Sequence, residues 1–252
     1  MKGERRALVT GGSAGLGGAI CTQLAAEGWA VTNVDRTPAN DASGIDTLRR
    51  DLSDRETVDA LVAELAGRGP FDLVVLNAGI SATGSFEKIP SEAHGRLLAV
   101  NAEAPIVLCA GLAAVGALAE GGAVIFVSSL AHRTGYPGAS SYAASKGVVA
   151  VYAKSIRKPF RDRLGVHVAC AFPGPLRTDH AARHAPEGAD ASKRMLPETA
   201  AKLILADARR GRTVILPGLG ARVFWAAGTL LPGPVTLAMR RIIFEKLDRE
   251  AY

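Results

Sequence analysis

The chain has 252 residues, 48% of them hydrophobic and 21% charged, a near-average balance that argues against a disordered chain, a collagen-like repeat or a coiled coil. Thirty Lys and Arg against 24 Asp and Glu leave a formal charge of +6. That excess suggests an anionic partner, which is a nucleic acid, an anionic membrane face or a phosphate-bearing cofactor.

The N-terminus passes from charged residues straight into a short strand pattern. It has no apolar run of signal-peptide length, so a cytoplasmic location is expected. Residues 7–10 form an apolar run that ends in glycines, and 15–27 have helical periodicity with Ile20, Leu24 and Ala25 on one side. Residues 30–34 read as a strand and 45–50 as a weaker one. The spacing of Val58, Leu61, Val62 and Leu65 predicts a helix over 55–66, with Asp54 as its N-cap. Residues 72–76 form a buried strand, 92–118 a long helix interrupted near Pro105, and 123–127 another buried strand. A helix over 141–164 and a strand over 166–172 follow. The last regular elements are a helix over 197–209, opened by Pro197, and a short strand over 213–216.

Strand and helix alternate throughout. This pattern implies βαβ units and an α/β fold, a doubly wound parallel sheet with helices on both faces. No linker, repeat or low-complexity tract divides the chain. One domain over residues 1–252 is expected, with 218–252 as a C-terminal helical extension of it. Cys21, Cys109 and Cys170 are odd in number and far apart, each in an apolar run. They fit buried thiols in a reducing compartment better than a disulfide framework or a zinc knuckle.

The first strand runs into Thr10-Gly11-Gly12-Ser13-Ala14-Gly15-Leu16-Gly17 and then a helix. Such a turn places backbone N–H groups at a helix N-terminus, where they bind the pyrophosphate of a dinucleotide. Glycines let the backbone turn tightly and approach the phosphates. Asp35 ends the second strand, where a carboxylate accepts hydrogen bonds from both ribose hydroxyls and repels a 2′-phosphate. It favours NAD. Arg36 beside it leaves NADP as the alternative.

The set Gly11-x3-Gly15-x-Gly17, Asn77-Ala78-Gly79, Ser129 and Tyr142-x3-Lys146 resembles the short-chain dehydrogenase/reductase family over about residues 5–216. The combination is far more specific than any one piece. The resemblance implies a seven-stranded, mostly parallel Rossmann sheet and an NAD(P)-dependent oxidoreductase interconverting a secondary alcohol and a ketone. It implies Tyr142 as acid/base, Ser129 as the clamp on the substrate oxygen, and Asn101 as holder of a water that links Lys146 to solvent. It makes Lys146 both the partner of Tyr142 and a ligand of the nicotinamide ribose. Asp51 and Leu52 stand where the family contacts adenine, though Asp51 equally suits a cap for the next helix. Pro173, Gly174, Leu176 and Thr178 resemble the loop around the nicotinamide. Homodimers or homotetramers packed through 92–118 and 141–164 are the implied assemblies.

The residue types make chemical sense on their own. A phenol of ordinary pKa near 10 is too weak a base at neutral pH, and a nearby ammonium stabilises the phenolate. Tyr142 and Lys146, four apart on a helix, share a face. The alternative of another class is a dinucleotide-binding sensor or scaffold without turnover. Loss of the Tyr or Lys would favour it, and both are present.

His180 and His184 lie four apart in the irregular stretch 176–196 but lack a third ligand at metal-site spacing. A lid with solvated polar residues is expected there. No basic run interleaves with aromatics, so nucleic acid is not an expected partner. Residues 223–239 carry no charge and are broken by Pro232 and Pro234, with Arg240 and Arg241 following. The stretch is too short to span a bilayer. It suits a pocket wall, a subunit interface, or a helix lying on an anionic membrane. A pocket wall of this kind hints at a hydrophobic substrate.

Overall fold

In β1 (Arg6–Thr10), Ala7 and Val9 pack on one face of the sheet and Leu8 on the other, all three fully buried. Burial on both faces is what a parallel strand requires when helices cover the sheet on each side. The computed structural model describes residues 4–38, 44–185, 189–242, 244–246 and 251–252. It contains β2 (Ala30–Asp35), β3 (Ile45–Arg49), β4 (Phe71–Leu76), β5 (Leu118–Val127), β6 (His167–Ala171) and β7 (Val214–Ile215). Their order across the sheet is β3-β2-β1-β4-β5-β6-β7, with every neighbouring pair parallel. The chain winds outward from β1 to β3, then returns to β4 and continues the other way. The carboxyl ends of β1 and β4 therefore flank the crevice where the order reverses, the usual place for a ligand in such a sheet.

One face is covered by α1 (Gly15–Ala26) and α7 (Pro197–Arg209), through Leu16, Ile20, Leu24, Ile204 and Leu205. The other is covered by α2 (Arg55–Ala66), α4 (Ala104–Ala114) and α5 (Ser140–Leu164), through Val58, Leu61, Leu65, Leu108, Leu112 and Val149. Asp54 caps α2 as expected, accepting from the backbone N–H groups of Glu56 and Thr57. Pro197 opens α7. All three cysteines are buried and unpaired.

The long helix expected over 92–118 is different in two ways. It is divided into α3 (Ser91–Leu98), a π-helical turn (Ala99–Glu103) and α4, and residue 118 already belongs to β5. Pro105 does not interrupt it. It sits in the first turn of α4, where a missing N–H costs little. By length and composition the run Ser91–Ala114 would cross a bilayer, but half of its most apolar window is buried and α4 packs against α2 and α5.

Past β6 come α6 (Asp179–Arg183) and then α7 and β7. Beyond β7 the chain forms α8 (Gly218–Leu230) and α9 (Pro232–Ile242), broken at the prolines as expected.

Candidate active site

The turn after β1 is held by side chains from β2. The Asn33 Oδ1 accepts from the Gly12 N–H at 2.8 Å, and its Nδ2 donates to the Ser13 Oγ at 3.1 Å. Asp35 Oδ2 accepts from the Ser13 N–H at 3.1 Å, and Oδ1 accepts from Thr37. Gly11 and Gly15 have φ of 69° and 54°, a region costly for other residues. A Cβ on Gly17 would lie 2.0 Å from the Gly11 carbonyl oxygen, and one on Gly11 2.8 Å from the Ala78 Cα. The α1 N-terminus carries no side-chain cap and no acid in its first turn. Its free N–H groups and positive dipole end are thus open to an anion, and the residues fit a dinucleotide pyrophosphate.

From β4, the Asn77 and Ala78 N–H groups both donate to the Thr10 Oγ1, at 3.0 and 3.1 Å, and the Asn77 Nδ2 donates to the carbonyls of Thr10 and Gly11. This ties the two strand ends that flank the crevice. Asn101 lies in the π turn, and extra residues of this kind recur at functional sites. Its Oδ1 accepts from the Ile80 N–H and its Nδ2 donates to the Ile80 carbonyl, both at 2.8 Å, and to Ser145 Oγ at 3.1 Å. The amide therefore locks the loop after β4 to α5.

On α5, Lys146 is only 4% exposed, and its Nζ donates to the Val127 carbonyl at 3.0 Å. Burial pushes its pKa down to about 8. Nζ lies 5.8 Å from the Tyr142 ring centre, and a Cβ on Gly79 would meet it at 3.1 Å. Ser128 Oγ donates to the Lys146 carbonyl at 2.7 Å and fixes this turn of α5. Burial holds the Tyr142 phenol above its ordinary value, and the nearby Ser129 side chain opposes that. The expected lowering by Lys146 is not among the influences on this phenol, and Nζ is engaged by the Val127 carbonyl instead.

A cleft of about 1640 Å³ collects most of the expected residues. Gly11, Ala14, Gly15, Leu16, Asp35, Arg36, Asp51 and Leu52 line one end. Asn77, Ala78, Gly79, Ser129, Tyr142 and Lys146 line the middle, and Pro173, Gly174, Leu176 and Thr178 close over it. Ser13, Gly17 and Asn101 stand behind this lining as supports. Asp51 does not cap α2, because Asp54 does. Asp51 accepts from the Ser53 N–H at 2.9 Å and faces Arg96 at 3.5 Å. Thr178 Oγ1 caps α6.

The residues that sequence reasoning missed are Thr10, Asn33, Ser128 and Ser145. A polar side chain inside an otherwise apolar strand was the available signal for Asn33. The lid also departs from the expected solvated one. His180 and His184 are half-buried and line the cleft, their rings 4.8 Å apart. Burial, with the nearby His184, Arg183 and Lys146, pushes His180 down to about 4.

The profile of the short chain dehydrogenase family matches residues 5–188. A short-chain dehydrogenase/reductase of Cladobotryum sp, FrzI, is 31% identical over 188 residues, covering 70% of this chain and 72% of its own. The L-xylulose reductase of Bos taurus is 34% identical over 171 residues, covering 65% and 67%. Among solved structures, a short chain dehydrogenase of Burkholderia cenocepacia in complex with NADP superposes with a TM-score of 0.80 at 20% identity, over 94% of this chain and 97% of its own. The family match ends before α7, so α8 and α9 lie outside it.

Proposed function

The chain belongs to the short-chain dehydrogenase family of oxidoreductases, and from that premise we propose that it interconverts a secondary alcohol and a ketone, with Tyr142 as acid/base. Hydride exchange at the substrate carbon is the chemistry the nicotinamide dinucleotide supplies when bound. The first-turn N–H groups of α1 hold the pyrophosphate, and Asp35 receives the adenosine ribose. The carboxylate of Asp35 favours NAD over NADP. Arg36, on the cleft lining beside it, keeps NADP as the alternative.

The single observation that carries the reading is that Ser129, Tyr142 and a buried Lys146 line one cleft together. Ser129 Oγ donates to the substrate oxygen and holds it against the phenol. Tyr142 gives its proton to that oxygen in reduction and takes it in oxidation. Lys146, as ammonium, stabilises the phenolate left behind. Asn101 is a positioning residue. Its hydrogen bonds fix the loop after β4 next to the Lys146 turn, where a water joins Nζ to solvent. A non-catalytic sensor would need none of these groups brought together.

The test is Tyr142→Phe. Turnover of ketones and secondary alcohols, followed at the nicotinamide absorbance, drops about a thousandfold, while dinucleotide affinity by fluorescence titration stays within a factor of a few. Retained turnover in this variant sinks the mechanism.

Two associations complete the reading. A second copy packs on the exposed Leu98 of α3 and Val148 and Val151 of α5. The outer face of α8 rests on an anionic membrane surface. Leu219, Val223 and Leu230 are exposed there at helical spacing, and residues 218–242 contain Arg222, Arg240 and Arg241 but no acid, with Arg240 facing Glu245 at 3.6 Å. A cytoplasmic location accords with the buried, unpaired thiols.

A further inference from the structure

The extension after β7 is fastened to the backbone that carries the catalytic serine. Arg133 stacks on the Trp225 ring at 4.2 Å and donates from Nη2 to Thr229 Oγ1. Trp225 in turn packs on Phe172 and His132, with ring centres 4.6 and 5.6 Å away. Thr134 Oγ1 meets the Met239 Sδ at 3.3 Å, and Thr236 donates to the Thr134 carbonyl. Gly228 lies so close to this loop that a Cβ would meet the Thr134 side chain at 2.8 Å. The His132 Nδ1 is 2.6 Å from the Ser129 carbonyl oxygen. The loop from Ser129 to Thr134 is therefore clamped by both helices of the extension.

What the clamp presents to the cleft is apolar. Leu231 at the end of α8 and Val235, Ala238, Met239 and Ile242 of α9 line it, the α9 residues sharing one face of the helix. Leu231 and Ile242 are 58% and 64% exposed, so among the described residues none covers them. From Val235 to Ile242 the helix rises about 10 Å. The cleft of about 1640 Å³ also exceeds the roughly 1,000 Å³ at the top of the range for a single drug-sized ligand. A dinucleotide leaves room for a second molecule of some size. The same cleft is also lined by His180 and His184, on and beside α6.

We infer that the substrate carries its oxygen-bearing carbon on a bulky apolar body, a long aliphatic chain or fused ring, that lies along the inner stripe of α9. The inference rests on the alcohol–ketone reading and names its substrate class. Covering the stripe removes apolar surface from water, which drives binding.

Methyl ketones from butanone to dodecanone test this, assayed by cofactor oxidation. In the wild type kcat/KM rises about three- to fourfold per added methylene until the stripe is covered. In Val235→Asp and, independently, Ala238→Lys, the rise per methylene is lost, and the ratio of long to short ketone rates falls at least tenfold. A flat series in the wild type, with short ketones reduced as well as long ones, overturns the inference and leaves the alcohol–ketone reading standing. If no ketone is reduced, that reading fails, and binding decides the inference. Decanone then displaces 1-anilinonaphthalene-8-sulfonate fluorescence from the cofactor-free wild type, at least tenfold more weakly from Val235→Asp. Absence of displacement, or equal displacement from both, overturns it.

Discussion

At the β1 end of the cleft, Gly12, Ser13, Asn33 and Asp35 hold one another through hydrogen bonds of 2.8 to 3.1 Å. At the α9 end the wall is a row of aliphatic side chains, held in place by a stack of Arg133, Trp225, Phe172 and His132. The two ends tolerate change differently. A buried polar network works only when every member is satisfied, whereas an apolar surface accepts swaps that conserve volume. The cofactor end is thus specified by individual atoms and the substrate end by bulk and hydrophobicity. One fold can keep the first fixed while the second sets specificity.

A methyl group in the glycine turn and one on the extension probe that contrast most strongly. Gly17→Ala sets a Cβ against the Gly11 carbonyl, a backbone atom with nowhere to go. Overpacking of this kind costs about 1–3 kcal/mol, so dinucleotide affinity falls roughly ten- to a hundredfold in a fluorescence titration. Gly220→Ala in α8 meets nothing within 4 Å. It raises helix propensity by about 1 kcal/mol and the melting temperature by about 2–4 °C. Equal responses at the two sites would erase the distinction.

Lys146 sits between the two ends, and its charge gives a smaller, pH-dependent effect. Burial pushes it down to about 8 from 10.5. Below pH 8 it is protonated folded and unfolded, and the burial penalty is fully present. Between 8 and 10.5 the unfolded chain binds a proton that the folded chain has lost, so this group makes stability rise with pH, by about 1.4 kcal/mol per unit. The three buried thiols, pushed up to about 12 from 9.0, act in the opposite sense above pH 9. Cofactor-free melts of wild type and Lys146→Met at pH 8 and 9 isolate the lysine. The wild type closes part of its gap to the variant as pH rises. A gap that is constant or widens contradicts a buried, depressed ammonium.

The smallest effect concerns the outer face of the extension. Each arginine near an anionic surface contributes about 1 kcal/mol, so binding by Arg222, Arg240 and Arg241 is weak and salt-sensitive. The protein co-floats with phosphatidylglycerol vesicles at low salt and not with phosphatidylcholine vesicles. No flotation with either removes the membrane from the substrate end.

The parts of the site that were legible in the sequence are those whose members lie close along the chain. The glycine turn, Asp35 at its strand end, and Tyr142 with Lys146 at one helical turn all declare their geometry by spacing. Thr10 and Asn33 did not, because their partners are backbone N–H groups of other segments. The start of β5 was missed because the helical reading ran to 118 and the strand reading began at 123, after Gly121 and Gly122. In the structure they fall inside a strand whose register against β4 shifts between Phe71 and Leu73. The π turn was hidden for a different reason. One inserted residue leaves apolar periodicity intact on each side of it, so the break drew no attention while Pro105, a harmless first-turn residue, did.

That π turn also separates two properties usually tied together. It takes up one surplus residue, worth roughly 100° of winding, within a widened turn. Removing one residue, Ala102 for example, would restore unbroken winding and leave Leu108 and Leu112 on the core face, while Asn101 lost its place against Ile80. Helix phase and amide placement are therefore set independently. The surplus residue turns the amide toward the loop after β4 without moving the core face of α4, so chemistry is added there at no expense to folding.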